Sequence, residues 1–264
     1  MKPKVSLISF TPDAIPLACW ARRVMHSPVP DSLEELKKDP EKWLGMPMDQ
    51  YVKEILMKDG MPTFLEYVNL TFKLENVSRA LQTQLIRHRI GFSYSIQSLR
   101  CVDLPNFADD MHYHNPFTGA KGDKYHNKMV EIQKLYRDAL KEKVPTQDAR
   151  GLLPMNIYST ITFSCSLRAL IGMINKRLCL KTQGEFNRVA ELIVEEVAKQ
   201  VPEVKAWFKR PCEFNNKCMM QAENEQQLKE GKLTGQQNTQ MVCPIFLSRV
   251  QKPKSLEEIK KEFK

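Results

Sequence analysis

Tyr67-Val68-Asn69-Leu70-Thr71-Phe72-Lys73-Leu74 alternates along its whole length. Val68, Leu70, Phe72 and Leu74 fall on one side, and Tyr67, Asn69, Thr71 and Lys73 on the other. That period of two is the pattern of a strand buried on one face only. From Asn76 or Ser78 the spacing changes. Val77, Ala80, Leu81 and Leu85 make the stripe of an amphipathic helix running towards Arg89. A half-buried strand feeding a helix, in a chain without regular βαβ alternation, predicts a mixed α/β chain and makes a doubly wound sheet the wrong expectation.

Working outward, Lys4 to Phe10 reads as an opening strand, and Ser32 with Glu35 as a capping box before a short helix closed by Pro40. Beyond the helix, Ser93 to Arg100 reads as a turn-rich segment, and Asp103 to Asn127 as a loop broken by Pro105, Pro116, Gly119 and Gly122. A helix carrying Met129, Ile132, Leu135 and Tyr136 follows, then a strand over Asn156 to Ser164 and a buried helix face of Leu167, Leu170, Ile171, Ile174 and Leu178. Thr182 with Glu185 opens a helix ended by Pro202. Lys229 to Gln240 reads as a mobile loop, and Ser255 with Glu258 caps a last short helix.

The 264 residues are 42% apolar, enough for a core, and the net charge of +9 favours an anionic partner. No apolar run reaches the roughly 20 residues of a membrane span, and Met1 to Leu7 lacks a secretory h-region. The expectation is a cytoplasmic protein that binds no membrane. Seven thinly spread cysteines (Cys19, Cys101, Cys165, Cys179, Cys212, Cys218, Cys243) read as free thiols.

The densest chemical signal is Gln84-Leu85-Ile86-Arg87-His88-Arg89, then Gly91, three serines and Arg100. On a continuous helix Gln84, Arg87 and His88 share a face, and guanidinium forks with hydroxyls suit a phosphate. The bland alternative is a basic helix end complementing the dipole. A second set, Arg150, Arg168, Lys176, Arg177 and Lys181, sits among apolar residues and needs anionic partners, either a ligand or Asp148, Glu185 and Glu191. Asp109, Asp110, His112 and His114, and likewise Cys212, Cys218 and Cys243, are metal ligands by type, but their spacing fits no common site, so no metal is expected. Neither a Walker loop nor a Gly-x-Gly-x-x-Gly fingerprint occurs.

Arg87-His88-Arg89 followed by Ser98 and Arg100 resembles the signature of flavin-dependent thymidylate synthases, which is Arg-His-Arg, seven residues, then Ser. Eight residues intervene here, which places one extra residue near Gly91. Ala149-Arg150 with Leu153-Pro154, Asn156 and Tyr158 resembles a second block of that family, and Arg177 with Gln183 and Glu185 a third. The resemblance implies an α+β fold, a mixed, largely antiparallel sheet with flanking helices, in a catalytic domain over 1–210 with a loop insertion near 103–127, and a C-terminal extension, 211–264, of unknown role. It implies FAD as cofactor, NADPH and methylenetetrahydrofolate as co-substrates, and a homotetramer with active sites between subunits. The reaction it implies adds a one-carbon unit to carbon 5 of dUMP, giving dTMP, without a cysteine nucleophile.

Carried over by motif, Gln84, Arg87, Gln97, Ser98, Leu99, Arg100, Arg150 and Arg177 would hold the nucleotide. Thr63, Arg87, His88, Arg89, Ser166, Arg168 and Gly172 would line the FAD site, and Arg177 would be catalytic. Met61, Ile96, Ser166 and Gly172 depart from the family's usual residues around the flavin and the base. Because of them, a flavin-dependent hydroxymethylase or methylase of dUMP or dCMP is the alternative within the class. A nucleic-acid-binding module, or a ligand-binding protein without catalysis, is the alternative outside it.

Overall fold

The computed structural model describes residues 1–26, 28–60, 62–214, 217–236 and 239–250. Four strands, β1 (Lys4–Phe10), β2 (Asn69–Ser78), β3 (Phe92–Ile96) and β4 (Tyr158–Ser166), form one sheet in the order β1-β2-β4-β3. Every neighbouring pair is antiparallel, so the expected sheet is present without a parallel member. Val68, Leu70, Phe72 and Leu74 are all buried, as their alternation requires. Phe72 stacks on its cross-strand partner Phe163 with ring centroids 5.1 Å apart. On the opposite face Thr71, Thr162 and Ser164 are only half-buried, and Thr71 Oγ1 donates to Ser164 Oγ at 3.2 Å. One side of the sheet is therefore core and the other is lined with hydroxyls.

β2 runs further than its alternation predicts. Its pairing with β4 shifts register between Leu74 and Val77, and Asn76 takes up the irregularity at a φ of 56°. Asparagine tolerates that left-handed backbone better than most residues. β3 replaces the expected turn-rich segment. Phe92, Tyr94 and Ile96 pair with Cys165, Phe163 and Ile161, while Ser93 and Ser95 point the other way and are exposed.

The helices are α1 (Ala14–Arg23), α2 (Leu33–Lys38), α3 (Pro40–Leu44), α4 (Met48–Glu54), α5 (Arg79–Leu85), α6 (Gly119–Lys141), α7 (Thr146–Ala149), α8 (Leu167–Arg177), α9 (Gly184–Gln200), α10 (Pro211–Phe214), α11 (Gln221–Lys229) and α12 (Pro244–Val250). Ser32 Oγ caps α2 by accepting from the Glu35 N–H at 3.2 Å. Pro40 also opens α3, where Asp39 Oδ1 accepts from the Lys42 N–H at 3.1 Å. α6 starts inside the expected loop because both glycines belong to it. At Gly122 a Cβ would lie 3.0 Å from the Phe117 carbonyl oxygen, so the glycine permits a close approach rather than breaking the helix.

The chain divides into two units, residues 1–173 with 192–207, and residues 174–191 with 208–264. The first contains the whole sheet. Its satellite cluster of Phe107, Ala108, Tyr113, Met129 and Ile157 packs under the 103–118 loop. In the second, Lys181 is buried, and its ammonium donates to Gln227 Oε1 at 2.8 Å and to the Met241 carbonyl. Burial lowers its pKa, and its role is to tie the chain together. α11 ends at Lys229 and an isolated bridge joins Thr234 to Val242, so part of the expected 229–240 loop is structured. The expected helix at Ser255 lies outside the described residues.

Candidate active site

Ser78 Oγ starts α5 by accepting from the Leu81 N–H at 3.0 Å, but the helix stops at Leu85 rather than continuing to Arg89. The Tyr94 hydroxyl lies against two carbonyl oxygens just there, at 3.0 Å from Leu85 and 2.7 Å from His88. Arg87, His88 and Arg89 thus occupy a turn, and the helical face expected for Gln84, Arg87 and His88 does not form. Gly91 completes the turn at a φ of 76°, and a Cβ there would sit 2.8 Å from Ala169 Cβ. The turn is pinned against the start of α8. Ile90 is 93% exposed, and β3 pairs with β4 without a break from Phe92 onward. Arg87 and Arg89 are exposed, and among the described residues neither has a carboxylate within ion-pair distance.

After β3 the Gln97 N–H bonds the Thr160 carbonyl at 2.9 Å, and Ser98 begins a second turn. Ser98 Oγ accepts from the Arg100 N–H at 3.2 Å, while the Leu99 side chain is buried and anchors the turn. Leu99 can therefore offer a ligand only its backbone. Ser98 and Arg100 line an open cavity of about 390 Å³ with Cys101, Pro145, Thr146 and Gln147. Gln147 joins two of the expected nucleotide ligands. Its side-chain oxygen accepts from Arg100 Nη2 at 3.4 Å, and its carbonyl from Arg150 Nε at 3.0 Å. Among the described residues no carboxylate pairs with Arg100 or Arg150, and Asp148, a candidate partner by sequence, is exposed and does not reach them.

At the other end of the sheet, Ser166 closes β4 and its Oγ accepts from the Ala169 N–H at 3.3 Å, capping α8. Arg168 pairs with Glu66 at 2.6 Å, not with Asp148, Glu185 or Glu191. Glu66 ends the 3-10 turn that begins with Thr63. Gly172 is exposed, with no atom within 4 Å of where its Cβ would be. Ile96 faces the apolar side of the sheet opposite Ile161, which accounts for an apolar residue there. Met61 lies outside the described residues.

Arg177 ends α8 in the second unit. Its guanidinium carbon stands 4.5 Å from the Phe186 ring centroid, and its carbonyl accepts from Asn187 Nδ2 at 2.8 Å. Stacking on an aromatic face orients the planar fork.

Asp109 pairs with Arg137 at 2.6 Å, and the half-buried His112 ring packs edge-on to Tyr158. Among the described residues no three His, Cys, Asp or Glu side chains are placed to hold a metal. All seven cysteines are free thiols. Burial pushes the Cys19 and Cys165 thiols up to about 12, far from nucleophilic thiolates.

Sequence reading missed Gln147, whose place three residues before Arg150 was the only signal. It also missed Arg79, which no motif singles out.

An antiparallel sheet with one hydroxyl-lined face, bordered by two basic turns whose exposed arginines pair with no carboxylate among the described residues, defines the α/β architecture of this protein. The chain belongs to the family described as thymidylate synthase complementing protein, which it matches over residues 6–203. It is 31% identical over 234 residues to the flavin-dependent thymidylate synthase of Clostridium tetani, covering 83% of this chain and 91% of the relative. The Pyrococcus abyssi enzyme of the same name is 31% identical over 203 residues, covering 75% and 80%. The fold resembles that of thymidylate synthase X from Helicobacter pylori, solved with FAD and dUMP. That likeness has a TM-score of 0.60 at 17% identity, over 78% of this chain and 97% of the other. Among the described residues no helix is long and apolar enough to cross a membrane.

Proposed function

We propose that this protein transfers a one-carbon unit from methylenetetrahydrofolate to carbon 5 of dUMP, giving dTMP, with FAD as cofactor and NADPH as reductant. The observation that carries the reading is the cavity lined by Ser98, Arg100 and Gln147, where Gln147 also bonds Arg150 and, among the described residues, no carboxylate neutralises either arginine. A phosphomonoester supplies the charge those guanidinium groups lack, and the Ser98 and Thr146 hydroxyls can donate to its oxygens. Gln84, Arg87, Gln97 and the Leu99 backbone complete the nucleotide site on this reading.

The turn of Arg87, His88 and Arg89 fits FAD, because two exposed guanidinium groups without carboxylates suit a diphosphate. Thr63, Ser166, Arg168 and Gly172 would line the same site, the bare surface at Gly172 admitting close approach. When bound, FAD supplies the electrons that reduce the transferred carbon. Arg177 holds its positive charge against the pyrimidine's oxygen edge and stabilises the anionic character that makes carbon 5 nucleophilic. No thiol adduct is involved. The catalytic chain comprises 1–210, with 211–264 as an extension, and works as a cytoplasmic homotetramer with active sites between subunits.

The purified protein should be yellow or turn yellow with FAD, and should couple NADPH oxidation to nucleotide methylation when dUMP and methylenetetrahydrofolate are both present. Mass spectrometry should find the nucleotide gaining a methyl group. A colourless protein with no heat of FAD binding overturns the proposal, and a hydroxymethyl product would replace it with the hydroxymethylase reading.

A further inference from the structure

Arg79 is the first residue of α5, where the positive end of a helix disfavours a cation. It is half-buried, and among the described residues its guanidinium has neither an ion pair nor a hydrogen bond. Its backbone is fixed in place: the Arg79 N–H bonds the Ile157 carbonyl at 3.0 Å, and the Ala80 N–H bonds the Met155 carbonyl at 2.9 Å. These bonds staple the first turn of α5 onto the segment that leaves the Arg150–Leu152 turn. Arg79 is therefore held against the segment that follows Arg150, near enough for the two charges to repel, and Arg150 is tethered through Gln147 to Arg100. Burial first, and then the like charge of Arg150, lower the Arg79 pKa. Two half-buried arginines that repel, each without a carboxylate, weaken the free protein. Their arrangement makes sense once an anion lies between them.

We propose that Arg79 is a further anion-binding residue of this site, sharing with Arg150 the phosphate of a nucleoside monophosphate. The ligand named here rests on the proposed function; the pairing of Arg79 with Arg150 around a phosphate does not. Arg79 lies outside the Arg-His-Arg block, so nothing in the motif assigns it. Its task is charge neutralisation and grip, and its effect should appear in nucleotide binding, with the chemical step left to other residues.

The test compares wild type with Arg79→Ala and Arg79→Lys by calorimetry, using dUMP, deoxyuridine and inorganic phosphate, with melting temperatures recorded alongside. Arg79→Ala should bind dUMP on the order of 10–100-fold more weakly. It should bind deoxyuridine as wild type does, and Arg79→Lys should recover part of the loss. Without ligand, Arg79→Ala should melt no lower than wild type, because it relieves repulsion; a purely structural arginine would lower the melting temperature. Unchanged dUMP affinity, or an equal loss for dUMP and deoxyuridine, overturns the inference. If wild type ignores dUMP, the proposed function fails separately. Inorganic phosphate then decides: stabilisation of wild type that Arg79→Ala lacks keeps the anion site, and equal stabilisation, or none, removes it.

Discussion

Arg137 and Arg150 carry the same charged group in opposite surroundings. Arg137, on α6, donates through Nε to the Pro105 carbonyl and through Nη2 to Asn106 Oδ1 and Asp109 Oδ2, each at 2.6 Å. The chain itself supplies its acceptors, and the product is an ordered loop. Among the described residues Arg150 donates only through Nε to the Gln147 carbonyl, which fixes its direction and leaves its outer fork nitrogens without a partner there. The lesson is that an arginine's partners, rather than its presence in a basic cluster, separate support from recognition.

Arg177 puts the sharpest strain on that division, since it is oriented by Phe186 yet assigned to the reaction. Arg177→Ala should lower nucleotide turnover by about 10²–10³, or about 2.7–4 kcal/mol of lost charge stabilisation, while FAD still binds. Steady-state kinetics beside a flavin titration check this. Near-normal turnover would return Arg177 to the supporting class.

Next in size, Arg150→Ala should weaken dUMP binding about 10–100-fold with little change in melting temperature. If it unfolds the protein without altering dUMP affinity, Arg150 belongs with Arg137. The reverse experiment is Arg137→Ala, expected to cost about 1–2 kcal/mol in urea unfolding, because its bonds are partly exposed, and to leave dUMP affinity unchanged. A nucleotide defect there would dissolve the contrast.

The smallest effect is acidic. A hydrogen bond from Gln133, and then one from Arg137, hold the Asp109 carboxyl below its ordinary value of 3.8. A group depressed on folding stabilises fully above its unfolded pKa, and that contribution fades as pH falls through the folded value. Any stability gap between wild type and Asp109→Asn should thus be level above about pH 5 and close progressively below 3.8. A gap that widens with acid would show that Asp109 is not held in its charged form.

What the sequence disclosed follows from how local each cause is. The β2 alternation sufficed because four apolar residues on one face need no knowledge of the partner strand. β3 also alternates, Phe92, Tyr94 and Ile96 against Ser93 and Ser95, but it is only five residues long beside Gly91, so its serines read as a turn; Phe163 of β4, against the Phe92 and Tyr94 rings, completes it as a strand. The end of α5 was misplaced because the chain tightens there, the His88 N–H and the Tyr94 hydroxyl from beyond the turn both bonding the Leu85 carbonyl that a longer helix would give to Arg89. Motif residues around the Arg-His-Arg turn and Arg150 were legible as a set, and the structure brings Arg100 and Arg150 together through Gln147. Arg79 was not legible, since its neighbour comes from a segment far along the chain.

The pairing of the sheet also dictates when the protein can begin to work. Lys4 pairs with Glu75, Leu70 with Cys165 and Phe92 with Cys165, and no two consecutive strands form a tight hairpin. Chains whose contacts are mostly distant in sequence must close large loops before any contact rewards them, and they fold slowly. On the ribosome β2 and β3 emerge with unpaired edges and wait for β4, the strand that lies between them. The hydroxyl-lined face and both basic turns therefore reach their working geometry only after Ser166 has been made. Until then the nascent chain exposes strand edges, and shielding them from other chains becomes a demand on the cell that synthesises it.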